Sequence, residues 1–374
     1  MAGKDDFIVT PWEVSGEIDY DRLIEKFGTQ RITKRLLQKM EKHAGGLHPM
    51  LRRGIFYSHR DFDKILSGYE RGEEFYLYTG RGPSGHTHLG HLMPWIFTKH
   101  LQDVFRVKLI FQLTDDEKFM FSEKMTLEDS RHYAYENALD VIALGFDPKR
   151  TEIFLDTEYI KSLYKIAIRV AKRVTFSTAK AVFGFKNSTN IGLIFFTSIQ
   201  SAPAFLESER QGRSVPCLIP CAIDQDPHFR VTRDVAPFLG YPKPALVHTK
   251  FFPSLLGSDK MSSSRPEGSI YTTDSPEAAK KKVMNAFTGG CATVAEQKKL
   301  GGKPDICPVY QYLAYIFEEE DAKLKEQYMM CRSGELLCGE HKQYLAGKVL
   351  SFLEAHQERR EKARDLLEDF IIRD

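Results

Sequence analysis

Phe75-Tyr76-Leu77-Tyr78-Thr79-Gly80-Arg81-Gly82-Pro83-Ser84-Gly85-His86-Thr87-His88-Leu89-Gly90-His91 is the stretch whose reading decides the fold. It opens as a near-continuous run of β-forming apolar residues, the pattern of a strand covered on both faces. Gly80, Gly82 and Gly85 then break the run, and a helical period begins at about residue 91. Glycines between a strand and a helix let backbone come close to a ligand, and a helix start offers unpaired N–H groups to an anion. The spacing matches neither Gly-x-Gly-x-x-Gly nor a phosphate loop ending in Gly-Lys-Ser/Thr. The distinctive element is His88-x-Gly90-His91 at the helix entry. Two imidazoles there can donate hydrogen bonds to phosphate oxygens, and Gly90 leaves room for a flat base against the main chain.

Outward from this stretch, strand-like runs recur at 107–114, 152–156, 215–224 and 245–249, beside 75–79 itself. Helical periods fill the gaps at 91–105, 127–144, 158–174 and 227–239. Strand and helix in alternation predict an α/β fold with a doubly wound, parallel, Rossmann-type sheet. Ligands of such sheets bind beyond the carboxyl ends of the strands, which makes the residues after each strand the ones to inspect. After about residue 275 strand signals stop, and helices are expected at 276–287, 307–317, 322–331 and 340–372. Before residue 75 an extended piece leads into one helix over 19–41. The division expected is an N-terminal extension (1–74) packing on a catalytic domain (75–275), followed by an all-α domain (276–374).

Composition excludes little and warns against much. Fifty-three Lys and Arg face 51 Asp and Glu in 374 residues, a formal charge of +2, with no basic block in any third of the chain. Charge alone therefore points to neither nucleic acid nor membrane. No apolar run approaches the ~18 residues of a spanning helix, and the opening MAGKDDFIVTPWEV has no signal-peptide core. Six cysteines without a Cys-x-x-Cys or a histidine at ligand spacing suit a reducing compartment and no structural metal. The expectation is a cytoplasmic protein.

A second motif, Lys260-Met261-Ser262-Ser263-Ser264, lies after the last strand between Gly257 and Gly268, where a lysine and three hydroxyls can form a mobile phosphate clamp. In this order, each after a strand, the two motifs resemble the His-Ile-Gly-His and Lys-Met-Ser-Lys-Ser signatures of class I aminoacyl-tRNA synthetases. Leu89 replaces isoleucine conservatively. Ser263 replaces the second lysine, so Lys260 acts alone or Lys118 or Arg81 shares its load. LYTGRGPSG, TDDEK, CAIDQDPHFR, TRDVAP and GYPKPAL sharpen the resemblance to tryptophanyl-tRNA synthetases of the eukaryotic type, from about Val9 to the C-terminal helices. FIVTPWEV and RRGIFYSHRDF look like that family's N-terminal extension, which packs over the nucleotide.

The resemblance implies a tryptophan–tRNA ligase using ATP with Mg2+, L-tryptophan and tRNA(Trp), a homodimer whose helical C-terminal domain takes the anticodon. By the same resemblance, His88, His91 and Lys260 are catalytic. Gly80, Arg81, Gly82, Gly90, Lys118, Met261, Ser262, Ser263 and Ser264 join them around ATP. Tyr78 and Gln112 meet the indole N–H, Glu117 and Gln200 the ammonium with Thr114 beside them, and Gln225 the carboxylate. The chemistry agrees, because an indole N–H only donates and an ammonium seeks a carboxylate. One of Asp115 and Asp116 is expected to cap the helix after the second strand. Arg169, Lys172 and Arg173 are read as a solvated helix face, and Tyr310, Tyr312, Tyr315 and Phe317 as core. Two rivals stand beside this reading. A tyrosine-specific sister enzyme would place an acid where this chain has Gln112, and a non-catalytic binding or signalling relative would have no need of His88, His91, Lys260 and Glu117.

Overall fold

The computed structural model describes residues 7–11, 14–16, 18–262 and 265–374. Its main sheet has seven strands: β1 (Gln30–Arg31), β2 (Phe56–Arg60), β3 (Tyr76–Arg81), β4 (Leu109–Leu113), β5 (Thr151–Leu155), β6 (Cys217–Ala222) and β7 (Ala245–Thr249). Their spatial order is β1-β2-β7-β6-β3-β4-β5. The five strands from β3 to β7 run parallel, while β2 joins β7 antiparallel and β1 joins β2 antiparallel. From β3 the chain winds outward through β4 to β5, then returns to β6 on the other side of β3. The switch point of this doubly wound sheet therefore lies between β3 and β6.

The helices that build the site are α1 (Leu89–Phe105), α2 (Asp115–Phe121), α3 (Leu127–Ala143), α4 (Ile160–Ala171), α5 (Ile191–Ile199) and α6 (Asp226–Leu239). Two cores sandwich the sheet. Leu77, Phe111 and Ile153 pack with α1 and α3 on one face, and Tyr76, Tyr78, Ile110 and Phe154 with α4, α5 and α6 on the other. This double burial explains why the strands read as apolar runs without alternation.

The five expected parallel strands are present within a residue or two of their expected ends. The N-terminal reading needs correction. In place of one helix over 19–41 there are two, Tyr20–Phe27 and Lys34–Ala44, separated by β1. Gly28, at φ 64, closes the first in the left-handed conformation that glycine adopts without strain. Residues before 75 also add β1 and β2 to the sheet, which the sequence reading had taken as packing only. Arg60, at the end of β2, ties this segment down. Its guanidinium meets both oxygens of buried Asp226 at 2.7 and 2.8 Å and donates to the carbonyls of Phe27 and Gly28, the C-terminal end of the first helix.

From Pro276 onward the described residues are helical, notably α7 (Pro276–Met284) and α8 (Cys338–Phe370). Tyr312 and Phe317 are buried, and Tyr310 and Tyr315 pack against the same core, as core residues should. α8 lies on α3, where His356 Nε2 meets Asp140 at 3.0 Å and Arg359 donates to the Ala143 carbonyl. Arg169 departs from the solvated-face reading, since its guanidinium bonds Tyr241 and the Leu239 carbonyl. No described helix is long and apolar enough to cross a membrane.

Burial alone would raise the Asp226 carboxyl, but hydrogen bonds from Arg60 and then His248 hold it well below the usual carboxylate range. A depressed carboxylate stabilises the fold above its unfolded value near 4 and loses that contribution as pH falls. Arg60→Met leaves the charge buried and should cost about 3–5 kcal/mol in urea unfolding at pH 7. The difference from wild type should shrink as the pH is lowered below about 4.

Candidate active site

A cleft of about 310 Å3 opens at the switch point, beyond the carboxyl ends of β3, β6 and β7. Its lining includes Tyr78, Gly80, Arg81, Gly82, His88, Gly90, His91, Thr114, Glu117, Lys118, Gln200, Gln225, Lys260 and Met261. The structure thus gathers residues spread over some 180 positions of sequence. Ser262 borders this group through its carbonyl, which accepts from Ser269 Oγ at 2.9 Å. Ser263 and Ser264 lie outside the described residues. Gln112 does not line the cleft; it is fully buried behind Tyr78.

The glycines act on their neighbours. A Cβ at Gly80 would stand 2.6 Å from the Gln112 carbonyl oxygen, and one at Gly82 would stand 2.0 Å from Lys118 Cε and 2.7 Å from Glu117 Oε2. Gly80 is small because the neighbouring strand's backbone approaches it, and Gly82 because Glu117 and Lys118, projecting from α2, occupy the space above it. At Gly90 the nearest atoms belong to the His88 ring, at 3.1 Å.

On the α1 side, His88 and His91 stack with ring centroids 3.5 Å apart. Burial, and then the Arg81 charge, lower both imidazoles well below their ordinary value, so both are neutral donors or acceptors near pH 7. Arg81 lines the cleft, yet four of its five N–H donors are committed. Nε bonds Asn137 Oδ1 at 2.5 Å, Nη1 meets His91 Nε2 at 2.5 Å, and Nη2 bonds the Gly85 and His86 carbonyls. Burial brings its pKa down to about 10. In this arrangement Arg81 braces the glycine loop and His91 with four of its five N–H donors. His88 Nδ1 is buried with no hydrogen-bond partner.

The Lys260 hairpin (Pro253–Ser254 with Gly257–Lys260) and the segment after it close over the start of α1. Gly90 N meets Met261 Sδ at 3.4 Å, Leu89 N donates to the Ile270 carbonyl, and Thr272 N to the Thr87 carbonyl. Lys260 Nζ rests 3.2 Å from Asp224 and 5.1 Å from the centre of the Phe251 ring. Lys118 pairs with Glu117 at 2.8 Å, and Thr114 Oγ1 donates to Glu117 at 3.2 Å.

On the opposite face of the sheet, Tyr78 stands edge-on to Phe229 at 5.8 Å, with Phe196 and Ile219 completing an apolar wall. Tyr78 Oη donates to Gln112 Oε1 at 2.5 Å and accepts from Gln200 Nε2 at 2.7 Å. Gln112 Nε2 donates to both oxygens of Asp156 at 2.8 and 2.9 Å. Thr114 holds the N-cap position of α2, and of the two acids that follow, Asp116 accepts from a helix-entry N–H, that of Glu117 at N3, at 2.7 Å. Asp115 instead binds Thr157 N and Oγ1.

Sequence reading missed Asp156, Asp224 and Lys250. Each stands directly after a strand or in the turn following one, so the strand-end rule pointed to them, and Asp224 lies within CAIDQDPHFR without having been singled out there. Among the described residues no three His, Cys, Asp or Glu side chains are grouped so as to hold a metal ion.

Residues 70–354 match the family described as tRNA synthetases class I (W and Y). The chain is 53% identical over 368 residues to the tryptophan–tRNA ligase of Pyrobaculum calidifontis, covering 98% of each, and 53% identical to that of Pyrococcus abyssi, covering 98% of this chain and 94% of the relative. Among solved structures, tryptophanyl-tRNA synthetase from Plasmodium falciparum superposes with a TM-score of 0.87 at 41% identity, covering 92% of this chain and 94% of the other. The Encephalitozoon cuniculi enzyme, solved bound to tryptophan, gives 0.87 at 38% identity, covering 95% and 98%. The chain belongs to the class I tRNA synthetases for tryptophan and tyrosine, and within them to the tryptophan–tRNA ligases.

Gly82→Ala tests the crowding over β3. The added methyl must displace Lys118 and Glu117, so tryptophan KM in pyrophosphate exchange should rise about tenfold or more. The far-UV circular dichroism should stay that of wild type.

Proposed function

We propose that this chain activates L-tryptophan with ATP, as its Mg2+ complex, and transfers the tryptophanyl group to tRNA(Trp). The observation that carries the reading is the position of Gly80. Beyond it, His88, His91 and Lys260 converge from the α1 side, and Tyr78 and Gln200 from the other, with Gln112 bonded to Tyr78 from behind. An aromatic amino acid held against Tyr78 and Phe229 would have its carboxylate directed toward the phosphates.

The carboxylate attacks the α-phosphorus in line and pyrophosphate leaves. No protein nucleophile takes part, so the catalysis is positioning and charge stabilisation. Glu117 and Gln200 hold the ammonium, with Thr114 keeping Glu117 in place, and Gln225 lies beside the carboxylate. Gly80, Gly82 and Gly90 let the nucleotide approach backbone. His88 acts as a neutral N–H donor through Nδ1, the atom that no protein group claims, while His91, which meets Arg81 at Nε2 and the His88 N–H at Nδ1, must release one of these partners to reach a phosphate. Lys260 must leave Asp224 to reach the departing pyrophosphate, and Met261 must leave the α1 start to free its N–H groups. Lys118, Ser262, Ser263 and Ser264 complete the phosphate clamp. Gln112 stands where a tyrosine enzyme places an acid, which supports tryptophan over tyrosine.

The helical residues 276–374 take the anticodon, 75–275 carry the chemistry, and 1–74 cover the nucleotide; Pro11 reaches the cleft wall, and Tyr20 Oη accepts from Phe251 N at 2.9 Å. The enzyme works in the cytoplasm as a homodimer. Exposed Tyr164, Ile168 and Ile191 on α4 and α5, the last 84% exposed, supply an apolar face for the partner copy.

ATP–pyrophosphate exchange across twenty amino acids should respond to tryptophan; exchange with tyrosine alone would overturn the reading. Lys260→Ala should lower kcat of exchange by about 10²–10³-fold, with a much smaller change in tryptophan KM. The double variant Ile168→Glu/Ile191→Glu should sediment as a monomer.

A further inference from the structure

Behind the ring-reading groups lies a polar chain that runs away from the cleft. Gln112 and Asp156 are 0% and 1% exposed. In the parallel register Gly80 pairs with Gln112 and Gln112 with Phe154, so Tyr78, Gln112 and Asp156 fall on one face of three neighbouring strands. Asp156 takes both donors' worth of space beside Gln112 Nε2, at 2.8 and 2.9 Å.

A glutamine amide can be turned end for end with little change of shape. Turned here, its carbonyl would face a buried carboxyl acceptor with no proton between them, and burying two acceptors face to face is costly. The carboxyl therefore selects the orientation with oxygen toward Tyr78. Tyr78 then gives its single proton to Gln112 Oε1 at 2.5 Å, in preference to the Gln200 carbonyl at 3.2 Å, and accepts from Gln200 Nε2, which leaves one lone pair. Burial and the neighbouring Asp116 raise the Asp156 carboxyl, and Asp116 is raised with it. Both Asp156 oxygens accept from Gln112 Nε2.

We propose that Asp156 is a positioning residue for substrate choice: by orienting Gln112 it makes the Tyr78 hydroxyl an acceptor, and so selects an aromatic ring that carries an N–H donor. The proposal rests on the reading of the chain as a tryptophan-activating enzyme. It assigns the preference for indole to a residue that touches no substrate.

The test is pyrophosphate exchange with tryptophan and with β-(benzothiophen-3-yl)alanine, which has the same shape with sulfur in place of the N–H. In Asp156→Asn the new amide can meet Gln112 with either end, so the orientation is no longer imposed. Tryptophan KM should rise about tenfold and the preference for tryptophan over the sulfur isostere should fall by about the same factor. The kcat for tryptophan and the KM for ATP should stay within about twofold. Asp116→Asn keeps the Asp156 carboxyl as acceptor and should retain the wild-type preference. An unchanged preference in Asp156→Asn overturns the proposal, as does equal loss toward both substrates and ATP. A loss of preference in Asp116→Asn as large as that expected for Asp156→Asn also overturns it. Wild-type protein without tryptophan-dependent exchange would instead overturn the functional reading itself.

Discussion

Everything at the site depends on the central strand Tyr76–Arg81. It is hydrogen-bonded in parallel to Leu109–Leu113 on one side and to Cys217–Ala222 on the other. The chain leaves this strand outward in one direction and comes back on the other side, so no connection crosses above its carboxyl end. A cleft must open there. Alternate side chains then divide the work. Tyr78 points into the core shared with α5 and α6, while Arg81 points toward α1 and α3. The cleft opens over Gly80, where the neighbouring strand's carbonyl leaves no room for a side chain.

Around that strand, charge is placed with economy. Arg81 is the most deeply buried cation of the cleft, and it serves the loop and His91. Lys260 and Lys118 each rest on a carboxylate, Asp224 and Glu117. The imidazoles are neutral because burial opposes their charge. A formal charge of +2 for the whole chain is consistent with such a cleft, whose lysines are already balanced by carboxylates.

Much of this was legible in the sequence. Five parallel strands announce themselves because both faces of each are buried, which writes the strand as an apolar run. The two histidines and Lys260 stood out through spacing, and Tyr78, Glu117 and Gln200 through the resemblance. The antiparallel strand Phe56–Arg60 did not announce itself: FYSHR carries polar residues whose partners, His248 for Ser58 and Asp226 for Arg60, are more than 160 positions away. The helix over 19–41 failed for a local reason, because Gly28 at positive φ ends one helix where the apolar period continues.

The sequence by itself determined the α/β class, the order of strands along the chain, the helical C-terminal third and the residue types on which the chemistry depends. Periodicity and strand-end position carry that information, and both are local. Only the tertiary structure decided which of these residues face one another. Arg81 is a brace because Asn137 and His91 use its donors, and Gln112 lies behind Tyr78 because the strand register puts it there. Asp156 matters because the same register brings it, 44 residues along the chain, onto the Gln112 amide. Hydrogen-bond direction in a buried site is set by which groups share the space, and that is a property of the packed sheet.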